Sequence, residues 1–409
     1  MTVVKEILEQ MSHIAKPQQK FLIVLFSAIL VLRGKVNFLN LSRYCDLSDK
    51  TFRRQFRKQF DFLSFNQIAI EKYCAPSLTL LAAQDSSFLR KSGKHTYGID
   101  YFFNGCSSRA EKGLEVSLVS IVDVEQNTAF ALSALQTEPS TFKPSRSNSK
   151  QSSERETTRI DFYLKHFGDS RASFPTRVKY SVFDGYFAKQ KFVDGVCALD
   201  LHLVSKLRRD ANLRYLYTGP QKKRGRRRLY DGKVNFLDLS RLEKVGEVET
   251  EVWLYTAVAY HVRLRRKIRV AVVVKQDKDQ KARYAVLFST DTELDARQIL
   301  SYYKARFQIE FLFRDGKQHA GLEDCQARDQ QALHFHFNAA MATVNLTKIE
   351  SSRSKQGNEA KVFSMSSWKQ RFFNEHLLEM IISKLEIEPT LIKNHPQYEY
   401  LRNYAAIAA

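Results

Sequence analysis

Apolar and polar positions change their period several times along the chain, and each change marks an element. Phe52, Phe56 and Phe60 recur every four residues among Arg53, Arg54, Arg57 and Lys58, the stripe of an amphipathic helix with a basic outer face. Residues 1 to 75 read as helical throughout. Within them Asn40–Phe60 suggests a helix, a turn at Asp46-Leu47-Ser48 and a second helix from Asp49, the outline of a helix-turn-helix whose Arg53, Arg54 and Arg57 would face DNA. A plain amphipathic helix with a solvated basic face fits the same spacing.

After Pro76 the period shortens. The apolar run Leu78–Ala83 leads into Gln84-Asp85-Ser86-Ser87 and predicts a buried strand with Asp85 at its end. Glu115–Val124 and Thr128–Leu135 predict two further strands joined at Glu125-Gln126-Asn127 as a hairpin. Pro139–Ser153, rich in Ser, Lys and Pro, reads as an exposed loop before a helix over Glu154–Phe167. Val178–Phe183 then predicts a strand ending in Asp184-Gly185-Tyr186-Phe187, followed by a helix to about Val193 and a strand over Cys197–Val204. Three antiparallel strands followed by alternating helices and strands is the element order of an RNase H-like α/β core.

That core is interrupted between Leu207 and Lys281 by a β-rich insertion with strands at Val252–Tyr260 and Ile268–Val274. The insertion opens on Lys222, Lys223, Arg224, Arg226, Arg227 and Arg228, a loop able to neutralise several phosphates or simply a solvated charge run. Tyr284–Ser289 returns as a strand, Asp295 opens one long helix to Gln318, and Leu322–Leu385 is mainly helical with Trp368, Phe372, Phe373, Leu377 and Leu378 as core or dimer-face candidates. The expected organisation is a helical DNA-binding region (1–75), a first core part (76–206), the insertion (207–281), a second core part (282–335) and a helical C-terminal region (336–409). The segment Gly34-Lys35-Val36-Asn37-Phe38-Leu39 recurs at residues 232–237; without a third copy it reads as coincidence.

Composition narrows the function. Lys and Arg total 65 against 44 Asp and Glu, a formal net charge of +21 that favours a polyanionic partner, nucleic acid first. The longest apolar run, Phe21–Leu32, falls short of the roughly 20 residues a membrane helix needs, so no membrane association is expected and the cytoplasm is the default. Five scattered cysteines show no zinc spacing and read as reduced and structural. No G-x-x-x-x-G-K-[ST] occurs, which argues against a nucleotide cofactor and a helicase.

Chemistry concentrates in Tyr303, Arg306, Glu310 and Lys317. At about 100° per residue these fall within roughly a 60° sector of one helix. Pairing of Arg306 with Glu310 across one helical turn would explain part of that stripe structurally. The four residues resemble the signature of bacterial insertion-sequence transposases with a DDE triad, in the subgroup that forms hairpin DNA ends. Asp85-Ser86-Ser87 resembles that family's first acidic motif, Asp184-Gly185-Tyr186-Phe187 its second, and the β insertion lies where the family places one.

The resemblance implies a catalytic and metal-binding triad of Asp85, Asp184 and Glu310 holding two Mg²⁺ or Mn²⁺ ions, with Asp85 bridging them. Tyr303, Arg306 and Lys317 would grip phosphates. Asp100 and Asp194 are the rival acids. The resemblance further implies double-stranded DNA as partner, a homodimer on DNA, and a flipped base stacked on an aromatic residue. Trp253 and Tyr284 are candidates for that platform, and neither is chosen. A stand-alone metal nuclease and a non-catalytic DNA-binding protein are the competing readings.

Overall fold

The computed structural model describes residues 2–73, 78–138, 158–236, 238–276, 282–354 and 363–407. Five helices come first: α1 (Thr2–Leu8), α2 (Lys16–Val31), α3 (Phe38–Leu41), α4 (Asp49–Phe56) and α5 (Phe62–Tyr73). The expected helix-turn-helix survives only in its second half. The Ser48 side chain accepts from the Thr51 N–H and starts α4, whereas α3 is a single turn capped by Asn37. Phe52, Phe56 and Phe60 are buried as their spacing requires.

Four strands follow, β1 (Leu80–Arg90), β2 (Asp100–Asn104), β3 (Arg109–Asp123) and β4 (Thr128–Gln136). β1 is longer than its apolar run, because β3 pairs with it antiparallel at every position from Leu80 to Arg90. Asp85 therefore sits in mid-strand, not at a strand end. β2 is an edge strand that the hydrophobic pattern misses. β3 pairs with β2 through Arg109–Gly113 and with β4 through Val116–Asp123.

Then come α6 (Arg159–Ser170), β5 (Tyr180–Val182), α7 (Gln190–Cys197) and β6 (His202–Leu207). Thr158 and Asp161 form a reciprocal capping box that starts α6; the loop expected over Pro139–Ser153 and the expected helix start at Glu154 lie outside the described residues. Cys197 ends a helix, so the strand expected there begins at His202. β5 lies parallel to both β1 and β6.

The expected insertion supplies β7 (Leu213–Leu216), β8 (Tyr230–Lys233), β9 (Glu243–Glu249), β10 (Val252–His261) and β11 (Arg266–Gln276), and β12 (Ala282–Ser289) follows. β12 pairs with β6 on one side and β11 on the other, so these strands continue the core sheet. The spatial order is β2-β3-β1-β5-β6-β12-β11-β10-β7-β8, with β4 on β3 and β9 on β10.

The chain ends in α8 (Ala296–Ala305), α9 (Gln308–Gln318), α10 (Gln330–Arg353), α11 (Met365–Lys384), α12 (Pro389–Lys393) and α13 (Tyr398–Arg402). The single helix expected from Asp295 is broken at Arg306-Phe307. There Phe307, Ile309 and Glu310 donate to carbonyls three residues back, a tightened 3₁₀ turn. α10 is buried along most of its length and unites the molecule. Its Phe335 meets Phe56 at 4.6 Å and Phe62 at 5.0 Å between ring centroids, so the N-terminal helices share a core with the C-terminal ones. Among the five C-terminal core candidates, only Trp368 is buried; Leu377 is exposed. Among the described residues no helix is long and apolar enough to cross a membrane. Cys45, Cys106, Cys197 and Cys325 are free thiols, Cys106 exposed and not structural; Cys74 lies outside the described residues.

Candidate active site

The parallel ladder between β1 and β5 is short. It runs from Leu81↔Tyr180 to Ala83↔Val182 and stops. Beyond it the two strands part, β1 continuing on β3 and the chain after β5 bonding to β6 through the Phe183 N–H and Val204 carbonyl at 3.1 Å. Asp85 and Asp184 each stand two residues past the last pair. The divergence thus opens a notch flanked by one carboxylate from each strand.

Each acid is fixed by its own backbone. Asp85 Oδ1 accepts from the Ser86 N–H at 2.8 Å. Asp184 Oδ1 accepts from the Tyr186 N–H at 2.9 Å and caps a 3₁₀ turn, Gly185–Phe187, while the Ser205 hydroxyl donates to the Asp184 carbonyl at 2.7 Å. A side chain at position 185 would meet the Lys206 carbonyl oxygen at 3.1 Å, so Gly185 lets that turn lie close to β6.

Glu310 enters from the first turn of α9. Arg306 connects it to the notch, its Nη2 at 2.9 Å from Glu310 Oε1 and its Nη1 at 4.0 Å from Asp85 Oδ2. The guanidinium is buried, and its Nε has no hydrogen-bond partner. Burial pushes the Asp85 carboxyl up to about 7, the charge of Asp184 adding to the effect. Burial raises Asp184 too. One arginine therefore serves two acids that lack a full complement of positive charge. Among the described residues no three carboxylate, imidazole or thiol groups are gathered to hold one ion; Arg306 stands between Asp85 and Glu310.

Other expected residues divide. Tyr303 is half-buried, and the Arg306 guanidinium lies 5.6 Å from its ring centroid. Lys317 is not beside the acids; its Nζ donates to the Phe88 carbonyl at 2.7 Å and meets Glu323 at 3.3 Å, tying α9 to β1. Arg53 and Arg54 on α4 and Arg57 at its C-cap are exposed, with Arg53 paired to Asp49 and Arg57 to Asp329. Lys222, Lys223, Arg224, Arg226, Arg227 and Arg228 form an exposed loop before β8, closed by Gln221, which bonds both backbone groups of Arg228. From β5 to β7 is five strand spacings, about 24 Å at roughly 4.8 Å each, so the loop does not join the notch.

Both rival acids are occupied elsewhere. Asp100 lies on the β2 edge strand, and Asp194 on α7 is ion-paired with Arg266. Trp253 lies beneath the Lys244 ammonium at 3.8 Å, and Tyr284 packs on Phe236 with centroids 5.8 Å apart. The sequence reading missed Lys189, whose Nζ lies 3.8 Å from the Tyr186 ring centroid and close enough to Asp184 to feel its charge. It also missed the buried support behind the first motif: the Tyr163 hydroxyl donates to Glu115 Oε1 at 2.6 Å and bonds Ser86 Oγ at 3.2 Å. Only a long-range pairing brings these together.

Residues 164–346, which include Asp184 and Glu310, match the family described as transposase DDE domain. Over that stretch the chain is similar to DDE transposases. No curated protein matches the chain. Among solved structures, the chain is similar to a piggyBac transposase synaptic complex with hairpin DNA seen by cryo-EM, at 14% identity and a TM-score of 0.41, covering 93% of this chain and 74% of that one.

Proposed function

We propose that this chain is a DNA transposase that cuts and rejoins phosphodiester bonds at the notch between β1 and β5. The observation that carries the reading is the matched placement of Asp85 and Asp184 past the end of one parallel ladder, with Glu310 joined to Asp85 through Arg306. The donor set fits hard divalent cations, since it is all carboxylate and the buried pair is short of positive charge. Asp85, Asp184 and Glu310 would hold Mg²⁺ or Mn²⁺ once Arg306 moves from between Asp85 and Glu310. Two such ions would activate the attacking oxygen and stabilise the leaving one.

The chain's own contribution is alignment. Arg306 turns its Nη groups to Asp85 and Glu310, and these donors become free for a phosphate oxygen once the acids are neutralised. Tyr303 borders the guanidinium and keeps the approach narrow. In the first step a water oxygen bonds to phosphorus as the P–O3′ bond breaks, releasing a 3′-hydroxyl. In the second step that hydroxyl bonds to the phosphorus of another phosphodiester as its P–O3′ bond breaks, releasing a new 3′-hydroxyl and giving a hairpin or a joined target. A second copy would bring two DNA ends together. The exposed Leu377, Met380, Ile381 and Leu385 of the α11 region offer an apolar face for it. The same reading places the protein in the bacterial cytoplasm, on DNA.

The test is cleavage of DNA carrying the gene's own flanking sequence, with Mg²⁺ or with EDTA, by wild type and Glu310→Gln. Metal-dependent cutting that the variant loses, with DNA binding kept, is the expected outcome. Cutting without joining of the cut end would make the protein a nuclease. Binding with no cutting by either protein would defeat the enzymatic reading.

A further inference from the structure

Where α4 comes alongside the far end of β1, the fold opens a cleft of about 810 Å³ that the catalytic notch does not use. Six cations line it: Lys35 before α3, Arg53 on α4 and Arg57 at its C-cap, Arg90 at the end of β1 and Lys91 just after it, and Arg328 before α10. Four segments distant in sequence supply them, so the fold gathers the charge; a solvated helix face would need only one.

Three carboxylates share the cleft, and each is engaged. Glu323 meets Lys317 at 3.3 Å, and Asp324 accepts from the Val36 N–H at 2.8 Å. Asp329 caps α10 through the Ala332 N–H at 2.9 Å and meets Arg57 at 3.4 Å. Lys91 donates to the Cys325 carbonyl and so forms part of the wall. The exposed side chains of Lys35, Arg90 and Arg328 keep the cleft positive. A positive concavity with low-dielectric walls focuses its field on a polyanion.

We propose that this cleft grips the backbone of duplex DNA beyond the phosphate held at Asp85 and Asp184. The notch and the cleft lie at two places along β1: Asp85 is in mid-strand and Arg90 ends it, about 17 Å away at about 3.4 Å per residue. The relation to the cut rests on the transposase reading, whereas the binding itself rests on the cleft.

The experiment is fluorescence anisotropy of the full-length chain with a random-sequence DNA duplex, titrated with salt. Wild type is compared with the double variant Arg90→Ala, Arg328→Ala and with the distant exposed control Lys384→Ala, and circular dichroism confirms that each is folded. The slope of log affinity against log salt should fall in magnitude by about 1.8 in the double variant, about 0.9 per lost phosphate contact, and stay unchanged in the control. An unchanged slope in the folded double variant overturns the proposal, as does an equal change in the control. Metal-dependent cleavage by the wild type is scored separately, so a failed cleft and a failed catalytic reading give different results.

Discussion

Arg306 occupies the place where two carboxylates would otherwise face each other. It is buried, forked toward Glu310 and Asp85, and flanked by Tyr303 and Phe307. A lysine there would keep the charge but lose the fork. Arg306→Lys should therefore lower cleavage about 10²-fold, as loss of one preorganised donor does, while leaving the salt slope of DNA binding within one unit. Cleavage at the wild-type rate would show that the fork is not used. A second residue-level expectation concerns His166, buried between the hydroxyls of Ser117 and Ser133, each 3.0 Å away. Burial pushes it down to about 3 from an ordinary value of 6.5. The unfolded chain thus binds one more proton between those values. The stability from neutral His166 is complete above about pH 6.5 and declines toward pH 3, by at most about 1.4 kcal/mol per pH unit. His166→Gln should flatten that part of the urea-midpoint profile; parallel wild-type and variant profiles would refute it. The three acids of the proposed site were singled out in the sequence because two follow strand-like runs and the third shares a helix stripe with Arg306. Lys317 shares the stripe as well, but it lies seven residues beyond Glu310, about 10 Å farther along the helix. A stripe encodes direction and says nothing of height.

Among the elements, β4 solves a problem of its own. One edge pairs with β3, and a register shift between Val119 and Ser120 leaves Leu132 without a partner residue. The bulge turns both Ala131 and Ala134 toward the other edge. Asn345 takes both backbone groups of Ala131, at 2.8 and 2.7 Å, and Asn338 both groups of Ala134, at 3.0 and 2.8 Å. Three strand residues span about 10 Å and seven helix residues about 10.5 Å, so the two asparagines of α10 match the strand. Asn345→Leu should cost about 2–5 kcal/mol, because it leaves a buried donor and acceptor unmade. Asn338→Leu should add to it nearly independently. Urea unfolding of the single and double variants checks both; a loss under about 0.5 kcal/mol, the range of an ordinary surface change, would mean that the edge finds other partners. None of this was legible from periodicity, which marks Asn338 and Asn345 only as polar interruptions of an apolar helix. The recurring Gly-Lys-Val-Asn-Phe segment is a different case. Gly34 and Gly232 adopt φ of +85° and +87°, and the Val and Phe that follow are buried in both copies. Similar residues share a positive-φ glycine at two sites, Gly34 before α3 and Gly232 within β8, although they mark no repeat of the fold.

At the scale of the molecule, the β-rich insertion of the sequence reading becomes the continuation of one sheet. β12 is sandwiched between β6 and β11, and α8 packs on β6, β10, β11 and β12 together. Deleting residues 213–276 should therefore remove cooperative unfolding of the whole chain. A deletion variant that kept a native near-ultraviolet spectrum would mean a separable unit. The sequence could not show this, because alternating apolar positions identify a strand without naming its neighbour. The asparagine staples carry a consequence for synthesis. Ala134 leaves the ribosome 204 residues ahead of Asn338, an interval of about 10–40 s at about 5–20 residues per second. Throughout that time the Ala131 and Ala134 backbone groups of the nascent β4 wait unclaimed, and a strand from a neighbouring polysome can reach them first. Soluble yield should then follow the speed and crowding of translation more closely than the stability of the finished fold.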